Sequence, residues 1–221
     1  MSHPGFDTDP ERALALSYAA PDKRAALAAL LAFDDALASL LRTTTEPAVA
    51  QIRLAWWREQ VAALGKSVVP AMPVLEGLAR HVVPQGVDPL RLVGIVEGWE
   101  VLVEAERMDD TALSGFAAKR GGGVFSIGGD LLGGPVSAAA GQGWALADLA
   151  QHLSMGAEAA QARDMARTLL TTRWPWPRET RSLGALATIA RMDLALPDHA
   201  PVPLASPRRV ARLAWMRLTG R

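Results

Sequence analysis

Leu27, Leu30, Leu31, Leu37, Leu40 and Leu41 recur at the three-and-four spacing that lines one side of a helix. The same period returns at Leu92, Val93, Val96, Trp99 and Val103, and again at Trp144, Leu149, Leu153, Ala157 and Ala160. Nowhere does the chain alternate apolar and polar residues before an Asn-Gly or Asp-Gly turn, and no repeat of fixed period appears. Alanine and leucine dominate, Tyr occurs once and Phe four times, a mixture that favours helices over strands. The fold class expected is therefore all-α, a helical bundle within one domain spanning 1–221.

Prolines and acidic caps cut this pattern into segments. A first helix starts near Asp9-Pro10 and ends before Pro21, and Asp22 is the expected N-cap of a second over residues 23–41. Thr45-Glu46-Pro47 opens a third over 48–64, whose adjacent Trp56 and Trp57 are expected to fill core space. Pro70 and Pro73 introduce a fourth, with His81 near its end as a structural rather than a ligating histidine. Asp88-Pro89 restarts the pattern over 90–106, where Glu97, Glu100 and Glu104 make an acidic stripe that reads as a solvated face. Asp109 caps the next helix, which runs into Gly121-Gly122-Gly123. With no strand before these glycines and no Lys-Ser/Thr after them, they suit close helix approach or a kink rather than a phosphate loop. A seventh helix is expected over 143–170 and another over 182–196, followed by a proline-rich link and a terminal helix.

Composition narrows the function classes. Lys+Arg and Asp+Glu are equal at 23 each, so no basic field points to nucleic acid. The absence of cysteine excludes disulfides and thiolate metal sites. A polar, acidic beginning is neither a signal nor a transit peptide, and the uncharged run 131–147 holds four glycines and a proline, a poor membrane span. A soluble, cytoplasmic protein is expected, with peripheral contact on the inner membrane as an additional feature. That contact is assigned to 208–221 within a basic tail, 204–221, where five arginines and no acid accompany Val210, Leu213, Trp215 and Met216. A docked helix with exposed arginines is the other reading.

Two acidic features invite a metal. Asp34 and Asp35 interrupt the leucine stripe, but adjacent helical residues point about 100° apart and do not aim at one point. Asp164 lies before the stop Arg173-Trp174-Pro175-Trp176-Pro177, flanked by Arg163 and Arg167.

Three stretches in one order resemble the squalene/phytoene synthase family. Residues 22–41 are similar to the helix of its first aspartate-rich motif. IRLAWWREQV, 52–61, is similar to the helix that follows, especially in the branch containing a mitochondrial complex I assembly factor. Residues 163–177 resemble the second motif, R-D-V-x-E-D-x-x-x-G-R-x-Y-x-P. The resemblance implies an all-α isoprenoid synthase bundle around a central cavity, in which two acidic clusters hold magnesium against a prenyl diphosphate. Residue by residue, aligning Leu31-Ala32-Phe33 with the first motif's opening puts its aspartates on Ala38, Ser39 and Arg42. In the second motif Arg163, Asp164, Arg173 and Pro177 match, while Arg167 and Thr168 replace acids and Pro175 replaces the tyrosine. The acidic position of the central helix falls on Leu102, near Glu100. Arginine in place of carboxylate reverses the local field.

Three readings follow. The first is a family member without metal-dependent catalysis, with no metal, cofactor or catalytic residue, that binds an isoprenoid-like lipid or a protein partner. The second is an active magnesium-dependent prenyl transferase using Asp34, Asp35 and Asp164 as ligands, with Arg173. The third is an unrelated helical interaction module.

Overall fold

Proline at the first helical position opens six of the helices, because its fixed φ suits that position and its missing N–H has no partner to lose there. The structure, a computed structural model, describes residues 9–154, 156–197 and 200–221. The helices are α1 (Pro10–Ser17), α2 (Pro21–Arg42), α3 (Pro47–Ala62) and α4 (Pro73–Gly77), the last running on through a π turn, Leu78–Val82. Then come α5 (Pro89–Glu104), α6 (Asp110–Phe116), a π segment (Ala117–Gly122), α7 (Gly123–Leu132) and α8 (Ala138–Ala150). The chain continues through α9 (Gly156–Thr171), α10 (Arg181–Leu194) and α11 (Pro207–Thr219), and no strand occurs among the described residues. The bundle is all-α, as the leucine period requires, and none of its described helices is long and apolar enough to cross a membrane.

Acidic caps hold several helix starts. Asp9 accepts the N–H groups of Glu11 and Arg12 at 2.9 and 3.2 Å, Asp88 that of Leu90 at 2.9 Å, and Asp109 that of Ala112 at 2.9 Å. Asp22 is not a cap: Pro21 starts α2 one residue earlier, and Asp22 falls in the first turn, where the helix dipole still favours it.

A larger difference lies at 143–170, which is two helices rather than one. His152 and Leu153 N–H groups both reach back to the Leu149 carbonyl, at 2.8 and 3.1 Å, and the His152 ring meets the Asp148 carbonyl at 2.8 Å. These bonds close α8, and α9 restarts at Gly156 and packs against α8.

Helix α8 is the centre of the packing, with α9, the π segment and α10 around it. Helix α2 lies across α4, the following π turn and α7, and α3 covers α5. The expected pair of core tryptophans is split. Trp57 is buried against Phe33, with ring centroids 5.8 Å apart, while Trp56 turns outward beside Ile52 and Val49.

The glycine-rich stretch is a close approach together with a change of helical pitch. A Cβ on Gly121 would run into the backbone of Gly141 on α8, and one on Gly98 would sit 2.7 Å from the Arg120 amide nitrogen. These glycines let α5, the π segment and α8 converge more closely than side chains allow. Gly121→Ala is expected to destabilise the fold by about 1–3 kcal/mol through overpacking. Gly115→Ala, which meets open space within α6, is expected to leave stability equal or slightly raised. Urea denaturation of the two variants measures the contrast.

Candidate functional site

Where α5, the π segment and α8 converge, a guanidinium is buried. Arg120 donates from Nε and Nη2 to the two carboxylate oxygens of Asp34, at 3.0 and 2.9 Å, and from Nη1 to Asp148 at 2.6 Å. Trp99 completes Asp34 with an indole N–H at 2.9 Å. The guanidinium carbon lies 4.2 Å from the Trp99 ring centroid, 4.9 Å from Trp144 and 5.4 Å from Phe116. Burial works against the charge on Arg120, but Asp34 and Asp148 outweigh it and raise its pKa above the ordinary value. Burial also works against Asp148, yet Arg120 outweighs it and lowers that pKa.

Adjacent on α2, Asp35 points elsewhere and pairs with Arg12 of α1 at 2.6 Å. Its pKa is raised to about 6, chiefly by burial and further by Asp34, against the opposing pull of Arg12. The two aspartates thus serve two different arginines, as their 100° separation on the helix requires.

Beside this network lies a cavity of about 910 Å³, ample for a chain-like small molecule. Asp35, Ala38, Ser39 and Arg42 of α2 form one wall, and Trp144, Asp148, Gln151 and His152 face it from α8 and its end. Leu186 and Ile189 of α10 add apolar surface. Ala38, Ser39 and Arg42, where the resemblance places the first motif's aspartates, therefore do face the cavity.

Asp164 does not. It lies on α9 with its side chain 74% exposed, paired with Arg167 at 2.9 Å, and lines a separate pocket with Asp110, Gln161 and Thr168. The break between α8 and α9 removes it from the wall opposite Asp34 and Asp35. Arg173 follows α9 and lies near Arg191 and Arg212, where its charge helps burial lower both their pKa values.

Magnesium does not fit these residues as they stand. The Asp34 oxygens accept from Trp99 and Arg120, Asp35 and Asp148 are each paired with an arginine, and Asp164 opens onto the other pocket. Among the described residues, no three His, Asp or Glu side chains gather into a metal-binding group.

Arg120 and Asp148 were not singled out from the sequence. A signal existed for Arg120: Leu113, Phe116, Ala117, Arg120, Gly121 and Val124 form a helix-spaced buried stripe with one charge on it. For Asp148 the signal was weaker, four residues after Trp144 on the same face of α8. The acidic stripe of α5 reads as expected in part: Glu97 meets Lys119 at 3.0 Å on the surface, and the half-buried Glu100 meets Arg58 at 3.4 Å.

An all-α bundle with a cavity lined by α2 and α8 is what the resemblance implies. The squalene/phytoene synthase family model matches residues 7–179, and the chain belongs to that family. No curated protein and no solved structure matches it. Family membership removes the reading of an unrelated helical module.

Two outcomes are expected from the buried charges. Arg120→Met strands Asp34 in the core and costs about 3–5 kcal/mol, and adding Asp34→Asn recovers most of the loss. Chemical denaturation of the single and double variants checks the coupling. For Asp35, the folded protein takes up a proton more readily than the unfolded chain, so its contribution to stability falls as pH rises from about 4 to above about 6. Asp35→Asn is expected to remove that part of the slope in thermal melts across this range.

Proposed function

We propose that this protein holds an isoprenoid-like lipid in the cavity between α2 and α8 without metal-dependent prenyl transfer. The observation that carries the reading is Arg120, a fixed cation seated between Asp34 of α2 and Asp148 of α8. It engages carboxylates that a divalent ion would need, and a second arginine, Arg12, does the same for Asp35. Arg42 and Ser39 stand on the cavity wall where the resemblance implies aspartates, so the wall offers a cation and a hydroxyl in place of metal-gripping acids. Leu186, Ile189 and Trp144 offer apolar surface to a chain, and Arg42, Gln151 and His152 on the lining offer polar contacts to a polar or anionic head. The protein then acts as a carrier or sensor of that lipid, or presents it to a partner, as the assembly-factor branch it resembles implies.

Farnesyl and geranylgeranyl diphosphate are the probes that test this. Binding is expected to be equal in magnesium and in EDTA, with no release of diphosphate, and to weaken at least about tenfold in Ala36→Trp, which fills the cavity from α2. Magnesium-dependent diphosphate release that disappears in Asp34→Asn or Asp164→Ala would establish prenyl transfer instead.

A further inference from the structure

Helix α11 is docked by one side. Arg209, buried, donates to both Glu11 oxygens at 2.7 and 2.6 Å and pairs with Asp193 at 2.8 Å, while Leu213 and Met216 enter the core. At 100° per residue these three positions share one face. The opposite face carries Ala211, Ala214, Trp215 and Leu218, with Trp215 56% and Leu218 73% exposed. A core-docked helix ordinarily turns polar residues outward. This one is apolar on its outer ridge as well.

Arginines border that ridge. Arg208 and Arg212 lie along one shoulder and Arg217 along the other, and α11 contains no acidic residue. Arg212 donates to the Arg221 main-chain oxygen at 2.7 Å, and Arg217 lies 5.4 Å from the Tyr18 ring centroid. Arg173 and Arg191 extend the positive field. Burial lowers the pKa of Arg191 and Arg212, and their arginine neighbours lower it further. Glu11 and Asp193 are engaged beneath the helix by Arg209.

We infer that the outer face of α11 is a docking surface for an anionic lipid bilayer. Trp215 and Leu218 enter the interfacial layer, while Arg208, Arg212 and Arg217 meet the headgroup phosphates on either side. An exposed Trp-Leu ridge alone fits many partners. The double border of arginine, with no acid on the helix, selects an extended negative surface. The segment leading into α11 places Val202 and Leu204 on the cavity wall.

Cosedimentation of the full chain with vesicles tests the inference without reference to what the cavity holds. Vesicles of about one-third phosphatidylglycerol in phosphatidylcholine are expected to bind, pure phosphatidylcholine to bind at least about tenfold less, and salt to weaken the anionic binding. Trp215→Ser with Leu218→Ser, and separately Arg208→Glu with Arg217→Glu, are each expected to lower partition about tenfold or more with an unchanged circular dichroism spectrum. Failure to bind anionic vesicles, equal binding to neutral ones, or full displacement by millimolar inorganic phosphate would overturn it. Variants that bind like the parent would also do so. If a pair of substitutions unfolds the chain, the composition and salt dependence of the parent decides.

Discussion

Arg120 carries its charge between Asp34 of α2 and Asp148 of α8, and three aromatic rings surround it. Such a charge is tolerable in a core only when its donors are matched and its counter-ions are close. Both conditions demand that α5, the π segment and α8 come within van der Waals contact, which the missing side chains of Gly98, Gly121 and Gly141 permit. The π segment itself has a wider turn than an α-helix. The packing at the centre of the bundle and the electrostatics of the cavity wall are thus one arrangement.

A second buried network closes the bundle. Glu11, Arg209 and Asp193 tie α1, α11 and α10 together, and Ala205 holds a positive φ of 55° while its N–H donates to Glu11 at 2.9 Å. Burial works to raise the Glu11 pKa, but the Arg209 and Ala205 hydrogen bonds bring it below the ordinary value, so its stabilising effect is present at neutral pH and fades in acid. The network joins Glu11, inside the matched region 7–179, to Asp193 and Arg209 beyond it.

Helix identity and most starts were legible because leucine spacing and Asp-Pro caps are local signals. The break between α8 and α9 was not: residues 143–170 keep an apolar period across it, and what ends α8 is a set of backbone turns with His152 on the Asp148 carbonyl. That one hidden turn changed the site. It removed Asp164 from the cavity and left Asp148, Gln151 and His152 on the wall. Asp34 and Asp35 pair with arginines 86 and 23 residues away, partners that had no local signature. Trp56 and Trp57 were both expected in the core, but adjacent helical positions point about 100° apart and only Trp57 is buried.

A guanidinium on a side chain is covalently tethered and cannot leave its site as a bound metal ion can. Dilution cannot empty it, chelators cannot strip it, and fluctuations in ion supply do not reach it. Charge balance at the centre of this bundle is therefore set when the chain is made, and the carboxylates of α2 and α8 meet their counter-ion in every folded molecule.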